Sequence, residues 1–290
     1  MEKAQRDRIV ILGRPSSGKS VLLTVLYQQL WESTGQLTIR ACDGNTHAAL
    51  LQDYASLMGG QWLPATQALR EYDLELHHDG RVTPMSVLDY PGELYRRLFF
   101  EKRVDGPELD TMYQALRRAM GVVLLIDPSD LLKPGEAQID TEFAAIQVLE
   151  HFRNNGSPSQ SLPLVLVYTK RDENAEMVKR AGGLARFTAK YMPRLARLIH
   201  NVPIVHLSAM RTTESNGRRM PWMASSEEQV ALPLRLILRQ IDAARQPPRV
   251  ESAKAAMKQT ARRYWWPAFV VATAVWLFII FALMGVWVAK

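Results

Sequence analysis

The stretch GRPSSGKS at residues 13–20 follows four aliphatic residues, IVIL at 9–12, and precedes a second apolar run at 21–27. When a buried strand feeds a glycine-rich turn and a helix leaves it, backbone N–H groups and the helix N-terminus converge on one anion. The pattern G-x-x-x-x-G-K-S in this context predicts a loop that binds nucleotide phosphates, and a chance glycine-rich turn is the less favoured alternative. The residues predicted to contact the nucleotide here are Gly13, Ser16, Ser17, Gly18, Lys19, Ser20 and Val21.

Three residues of this loop have distinct predicted roles. Gly18 lets the backbone approach the phosphates closely, whereas Lys19 reaches the β- and γ-phosphates. The hydroxyl of Ser20 is a predicted ligand of Mg²⁺. The loop therefore predicts a nucleoside triphosphate with magnesium, but it does not distinguish ATP from GTP.

Short apolar runs alternate with longer helical patterns through residues 6–244, which we assign to one domain. The runs at 8–12 and 121–126 are almost wholly apolar, as expected for strands that are covered on both faces. The alternation predicts an α/β fold with a doubly wound, mostly parallel sheet. Asp79-Gly80 favours a tight turn and predicts one antiparallel hairpin at the sheet edge. The predicted strands are 8–12, 71–77, 83–88, 121–126, 164–168 and 204–207, and the predicted helices are 19–32, 46–58, 107–120, 137–152, 175–199 (with Pro193 as a candidate interruption) and 227–244.

Motifs at the ends of two later strands indicate which base is bound. The sequence TKRD at 169–172 follows one predicted strand, and the carboxylate of Asp172 can accept from guanine N1–H and N2–H₂ together. Adenine cannot offer that pair of donors, and the stem of Lys170 can pack over the base. A Ser-Ala pair follows the next strand and matches a loop whose backbone N–H contacts guanine O6. The predicted base-binding residues are Thr169, Lys170, Asp172, Ser208 and Ala209.

A D-x-x-G sequence, DYPG at residues 89–92, also stands at the end of a predicted strand. Asp89 is predicted to hold Mg²⁺ through a water molecule, and the backbone N–H of Gly92 to meet the γ-phosphate. Alone this motif is weak, since an ordinary turn can have the same sequence. In order with the phosphate loop and the base motifs, it favours GTP.

With these loops in order, residues 6–242 resemble the small Ras-like GTPases of the translation-factor-related class of P-loop proteins. The resemblance implies that GTP, GDP and Mg²⁺ are the ligands, and that a switch I threonine upstream of Asp89 senses the γ-phosphate. Thr66 lies 23 residues before Asp89, with the Asp-Gly hairpin between them, and is the predicted sensor. A simple loop residue is the alternative reading of Thr66. The predicted Mg²⁺ ligands are Ser20, Thr66 and Asp89.

Two features depart from that class. The switch I region at 33–66 is enlarged and contains an extra predicted helix. Glu93 follows the D-x-x-G sequence where many relatives have a glutamine that orients the attacking water. A carboxylate can accept a hydrogen bond from water, but it brings negative charge towards the γ-phosphate. We therefore expect slow or partner-assisted hydrolysis of GTP to GDP, with Glu93 and Thr66 as the catalytic residues.

Two other functions are compatible with parts of the sequence. Glu93 favours a GTP-binding scaffold that does not hydrolyse GTP and that assembles a membrane complex, in the manner of the β subunit of the signal-recognition-particle receptor. The motif at 169–172 disfavours the other function, an ATP-dependent P-loop enzyme such as a kinase. A switch and a scaffold would each act through a protein effector or a membrane complex.

The net charge of +7 is concentrated in a basic linker at 245–264, where Glu251 is the only acidic residue. This distribution does not favour a nucleic-acid partner. The next segment, 265–289, has no charged residue and is long enough to cross the ~30 Å hydrocarbon core as a helix. A buried core helix is the alternative. The sequence thus predicts a single-pass, tail-anchored membrane protein with a cytoplasmic N-terminal domain, and we expect the bacterial inner membrane.

The segment at 211–226 is longer than the binding of a guanine base requires. It includes Arg218, Arg219 and Trp222, which suit contact with a partner protein or with lipid headgroups. An exposed loop without such a contact is the third alternative, and the sequence does not separate the three.

The sequence offers no further metal or redox chemistry. Cys42 is the only cysteine, which excludes an internal disulfide and a thiolate metal site. The six histidines are not spaced as a metal-ligand motif. Magnesium is therefore the only metal that we predict.

Overall fold

A seven-stranded sheet forms the centre of the computed structural model, which describes residues 7–91, 94, 97–98, 101, 106–132, 136–154, 163–199, 201–215 and 217–245. The strands of this sheet are β1 (Arg8–Gly13), β2 (Leu37–Ala41), β3 (Arg70–His78), β4 (Arg81–Asp89), β5 (Ala119–Ile126), β6 (Leu164–Tyr168) and β7 (Ile204–His206). Their spatial order is β2-β3-β4-β1-β5-β6-β7. Strands β4, β1, β5, β6 and β7 are parallel, whereas β3 pairs antiparallel with both β2 and β4. The predicted mostly parallel sheet with an antiparallel hairpin is confirmed.

Helices pack on both faces of this sheet. Successive residues of β1 point to opposite faces, so that Ile9 and Ile11 enter one hydrophobic core while Val10 and Leu12 enter the other. Each core is completed by buried side chains of its own set of helices, as in a doubly wound fold. The helices whose bounds lie within the described residues are α1 (Lys19–Trp31), α2 (Gly44–Met58), α3 (Pro107–Arg117), α4 (Pro128–Leu132), α5 (Glu136–Asn154), α6 (Arg171–Arg180), α7 (Leu184–Tyr191), α8 (Pro193–Leu198) and α9 (Glu227–Arg245).

The β3–β4 hairpin turns at the predicted dipeptide. Asp79 and Gly80 both have positive φ, 47° and 71°, as a tight turn between two twisted strands requires. The predicted position of this hairpin at the sheet edge is wrong. Strand β2, which the enlarged switch I region contributes, pairs with β3 and forms the edge instead.

Two predicted helices differ most from the structure in their bounds. The helix predicted at 107–120 ends at Arg117, because Ala119 already pairs with β1 as the first residue of β5. The helix predicted at 175–199 is divided among α6, α7 and α8, with breaks at Gly182-Gly183 and before Pro193, and α6 already begins at Arg171. The proline break is the candidate interruption that the sequence indicated.

The predicted loop at 211–226 is largely a hairpin. Strands β8 (Met210–Ser215) and β9 (Arg218–Ala224) form a separate two-stranded antiparallel sheet. Pro221 lies inside β9, and a proline usually demotes a run of residues from strand to loop in sequence-based analysis. This hairpin leads directly from the predicted base-binding residues into α9.

The chain divides after Asp242 into two units, of which the first holds the sheet and the site described below. In the part of the chain that the structure describes, no helix has the length and hydropathy that a membrane crossing requires. The predicted transmembrane helix at 265–289 lies outside the described residues, as does the basic linker apart from Arg245.

Candidate nucleotide site

A cavity of about 630 Å³ opens where four parallel strands end, and its lining follows β1, β4, β6 and β7. Parallel α/β sheets place ligands at this edge, because loops from several strands converge there. The cavity brings together the phosphate loop, Asp89 and both predicted base motifs. Among the predicted residues, its lining includes Ser16, Gly18, Lys19, Ser20, Val21, Thr66, Asp89, Thr169, Lys170, Asp172, Ser208 and Ala209.

The phosphate loop wraps closely around the start of α1. Gly13 has no room for a side chain, since a Cβ atom there would lie 2.9 Å from the backbone oxygen of Leu125. Gly18 has a φ of 85° and is the N-cap of α1, where it offers no side chain to bond the first-turn N–H groups. Those donors can therefore bind an anion in the cavity. The hydroxyl of Ser17 is buried and has no partner among the described residues.

The ammonium group of Lys19 is buried at the base of this loop. Its Nζ donates to the backbone oxygen of Gly13 at 3.1 Å and lies 4.3 Å from the ring centroid of Tyr90. Burial lowers the pKa of Lys19 to about 8, and the negative charge of Asp89 opposes that shift. A phosphate group beside Lys19 would supply the charge that the buried ammonium lacks.

Tyr90 is a site residue that the sequence analysis did not identify. It directly follows Asp89, is almost fully buried, and its hydroxyl donates to the backbone oxygen of Gly13 at 2.7 Å. The same oxygen accepts from Lys19, so the end of β4 is fastened to the phosphate loop at the lysine. The sequence signal that could have identified Tyr90 is its position directly after the aspartate of the D-x-x-G motif.

Three oxygen groups meet at one corner of the cavity. The hydroxyls of Ser20 and Thr66 both donate to Oδ2 of Asp89, at 2.8 and 2.7 Å. Magnesium prefers oxygen ligands and usually keeps positions for phosphate and water beside one or two carboxylates. One carboxylate and two hydroxyls therefore fit Mg²⁺, and no cluster of three His, Cys, Asp or Glu side chains competes for a metal among the described residues.

The carboxylate of Asp172 is held by residues on both sides of the base motif. The hydroxyl of Ser208 donates to Oδ1 at 2.5 Å and accepts from the backbone N–H of Asp172 at 2.8 Å. The backbone N–H and the hydroxyl of Thr212 both donate to Oδ2, at 3.1 and 3.0 Å. Thr212 was missed because it lies in β8, beyond the Ser-Ala pair.

Lys170 is positioned by a buried acid. Its backbone has a φ of 54°, a strained conformation for a non-glycine residue, at the N-cap of α6. Its ammonium pairs with Asp127 at 2.6 Å, so that its stem stays along the cavity wall. Asp127 directly follows the apolar strand β5, and an acidic residue at that position is a sequence signal for a side chain at this edge of the sheet. Thr169 is fixed by a backbone N–H bond of 3.0 Å to the oxygen of Ile126.

Gly92 and Glu93, the predicted γ-phosphate and water contacts, lie outside the described residues. The site therefore rests on the phosphate loop, Thr66, Asp89 and the base motifs.

The chain is similar to one protein family and to solved structures. The model of the Double-GTPase 2 family matches residues 7–216. A crystal structure of nucleolar GTP-binding protein 1 from Plasmodium falciparum is similar, with 14% sequence identity, a TM-score of 0.43, and coverage of 90% of this chain and 96% of that chain. A search of curated proteins found no match. The range matched by the family model includes the phosphate loop, Thr66, Asp89 and both base motifs.

Proposed function

The chain belongs to the Double-GTPase 2 family, and we propose that it is a membrane-held switch that binds GTP and hydrolyses it to GDP, slowly or with a partner's assistance. One observation carries this proposal. A single cavity joins the carboxylate of Asp172 to the corner where Ser20, Thr66 and Asp89 share one oxygen. A ligand that fills it needs a hydrogen-bond donor pair, as guanine has, together with a triphosphate.

Selection of guanine rests on the charge and orientation of Asp172. Its ionised carboxylate accepts hydrogen bonds and donates none, so it matches guanine N1–H and N2–H₂ but not the edge of adenine. Ser208 and Thr212 fix the plane of this carboxylate. Lys170, held by Asp127, can cover one face of the base with its stem.

Phosphate binding uses the loop backbone and Lys19. The free N–H groups at the start of α1 and the buried ammonium of Lys19 would bind the β- and γ-phosphates. Ser20, Asp89 and Thr66 would hold Mg²⁺, which would neutralise the charge that develops on the phosphate oxygens. GDP lacks the γ-phosphate. After hydrolysis, Thr66 would therefore lose one of the contacts that hold it beside Asp89.

Hydrolysis transfers the γ-phosphoryl group to water. The water oxygen bonds to the γ-phosphorus, the bond from that phosphorus to the β–γ bridging oxygen breaks, and GDP and inorganic phosphate leave. Lys19 would stabilise the charge that develops on the phosphate oxygens during this step. Glu93 can accept a hydrogen bond from the water, but it brings negative charge towards the γ-phosphate, which is itself negatively charged.

Slow hydrolysis is the expected result for the GTP-loaded, full-length protein in a single-turnover assay of phosphate release. Glu93→Gln should increase the rate by about tenfold, because it removes one negative charge beside the γ-phosphate. Glu108→Gln, an exposed substitution at the start of α3, should leave the rate unchanged. Phosphate release that is no faster than that of free GTP, in the presence of candidate partners, would contradict the switch.

The same assay addresses the second candidate function, a GTP-binding scaffold. Glu93 in place of the usual glutamine favours it. A scaffold would bind GTP and Mg²⁺ with normal affinity and release no phosphate, and Glu93→Gln would not restore release.

Membrane attachment is proposed from the uncharged segment 265–289 and its basic flank at 245–264. We place the GTP-binding domain in the cytoplasm, at the bacterial inner membrane, with a protein effector or membrane complex as its partner. A chain that ends at Arg245 should remain in the supernatant when membranes are pelleted, whereas the full chain should pellet after a high-salt wash. If the shorter chain also pellets after that wash, segment 265–289 is not the sole attachment.

A further inference from the structure

The β8–β9 hairpin contacts two parts of the nucleotide site that are far apart in the sequence. One is the turn that carries Asp172, and the other is the loop that carries Thr66. These contacts connect the recognition of the base with the residue proposed to sense the γ-phosphate. The hairpin is therefore more than an exposed connection between β7 and α9.

At the base, the hairpin is held by two adjacent acids in the first turn of α6. Thr212 in β8 donates twice to Asp172, and Arg219 in β9 pairs with Glu173 at 2.7 Å. One strand of the hairpin thus binds each acid. Because Asp172 also bonds Ser208, the position of the hairpin is set by the same residues that read the base.

At switch I, the hairpin holds the side chain of Trp62. The indole N–H of Trp62 donates to the backbone oxygen of Arg219 at 3.0 Å. Only three residues, one of them Pro64, separate Trp62 from Thr66, and the proline limits the conformations of that short connection. Thr66 donates in turn to Asp89 at 2.7 Å. The loop is thus fixed at both ends of this short span.

If this loop is already ordered before the nucleotide binds, the affinity for GTP increases more than the affinity for GDP. Ordering a free backbone costs about 1–2 kcal/mol per residue, and a ligand that needs the ordered loop is weakened by that cost. Only GTP has the γ-phosphate that Thr66 is proposed to sense. An anchor at Trp62 therefore favours the triphosphate.

We propose that Trp62 is a positioning residue. The β8–β9 hairpin holds Trp62, and this contact keeps Thr66 beside Asp89, in the arrangement that GTP requires, before the nucleotide binds. This inference rests on the proposed function, because it assigns a γ-phosphate contact to Thr66. It adds a specific element, outside the nucleotide-binding motifs, that sets the preference for GTP over GDP.

Trp62→Phe tests the anchor, since phenylalanine keeps an aromatic ring but has no N–H. In the full-length protein with Mg²⁺, the affinity for a slowly hydrolysed GTP analogue should fall about three- to tenfold, as expected for one lost hydrogen bond. The affinity for GDP should stay nearly constant. Trp222→Phe is the matched control, because Trp222 lies in the same hairpin, is 61% exposed, and its side chain makes no hydrogen bond within the described residues.

Arg219→Met gives a second, independent variant. It keeps the backbone oxygen that binds Trp62 but breaks the ion pair with Glu173, which is partly exposed and therefore weak. We expect the analogue-to-GDP affinity ratio to fall about twofold. Arg218→Met, at the exposed neighbouring position, should leave the ratio unchanged.

Two different failures can be told apart in this experiment. If Trp62→Phe and Arg219→Met both leave the analogue-to-GDP ratio at the wild-type value, or lower both affinities equally, the inference is overturned while the proposed function stands. If the wild-type protein does not prefer guanine nucleotides, the proposed function itself fails. A thermal unfolding scan shows whether each variant is folded. If either Trp62→Phe or Arg219→Met fails to fold, the analogue-to-GDP ratio of the other variant tests the inference.

Discussion

Asp172→Asn is expected to lower the affinity for GDP by about 10²- to 10⁴-fold. The ionised carboxylate offers two charge-assisted hydrogen bonds to guanine, and each is worth about 1.5–3 kcal/mol. An amide in the same place turns one acceptor into a donor, which then faces a guanine N–H. The amide matches xanthine better, since xanthine has an oxygen at the position of the guanine amino group. Displacement of a fluorescently labelled nucleotide by GDP, XDP and ADP measures all three affinities.

A matched control for this substitution is Asp110→Asn, which removes an exposed carboxylate from α3. It should change none of the three affinities. If Asp172→Asn also leaves the ratio of GDP to ADP affinity unchanged, the assignment of Asp172 to the base is wrong.

The free energy of unfolding of the nucleotide-free protein is expected to rise with pH because of Lys19. Its pKa is about 8 in the folded protein and 10.5 as a model value for the unfolded chain. Between these values the unfolded chain binds more protons, so stability increases with pH. Burial of the charged Lys19 destabilises the folded protein fully below pH 8. This cost decreases as the pH rises, because the buried ammonium loses its proton. From pH 7 to 9.5, Lys19 should contribute a gain of about 2 kcal/mol.

Lys19→Met isolates this contribution, because other groups that titrate in the window are common to both proteins. Denaturant unfolding at pH 7 and pH 9.5, without nucleotide or Mg²⁺, should show the larger gain in the wild type by about 2 kcal/mol. An equal gain in both proteins would show that Lys19 is not the buried charge that we describe. The same lysine thus costs stability in the empty protein and binds phosphate in the loaded one.

Local sequence signals were sufficient for most of the sheet and its helices. Strand β1, the phosphate loop and α1 are determined within a short stretch, where apolar runs flank residues that permit a tight turn. The bounds of longer helices were less predictable, since the end of α3 depends on where β5 pairs with β1. Strand β2 was missed because its pairing with β3 is a tertiary contact that the sequence of 37–41 does not reveal.

The hairpin was missed for a similar reason. Its sequence contains Pro221 and adjacent arginines, which are typical of loops. What holds it in place are contacts with distant residues, namely Asp172, Glu173 and Trp62. Such contacts become apparent only when the chain is folded.

The residues of the candidate site also differ in how far the sequence alone could identify them. Motif residues such as Gly13 and Asp172 could be proposed from the sequence, because close backbone packing at Gly13 and the chemistry of base recognition at Asp172 allow few alternatives. The residues that orient them could not. Each orienting residue acts on one motif residue: Tyr90 on Lys19, Asp127 on Lys170, and Thr212 on Asp172. Several residue types, at other places in the fold, could supply the same hydrogen bond or charge.

Guanine selectivity of the wild-type protein is the central claim, and competition at equilibrium tests it most directly. Fluorescently labelled GTP would be bound to the full-length protein with Mg²⁺ and displaced separately by GDP and by ADP. We expect GDP to act at concentrations at least about 10²-fold lower than ADP, because a site built to pair with guanine donors leaves buried polar groups unpaired with adenine. Displacement by ADP at the same concentrations as GDP would contradict the assignment of this cavity to a guanine nucleotide.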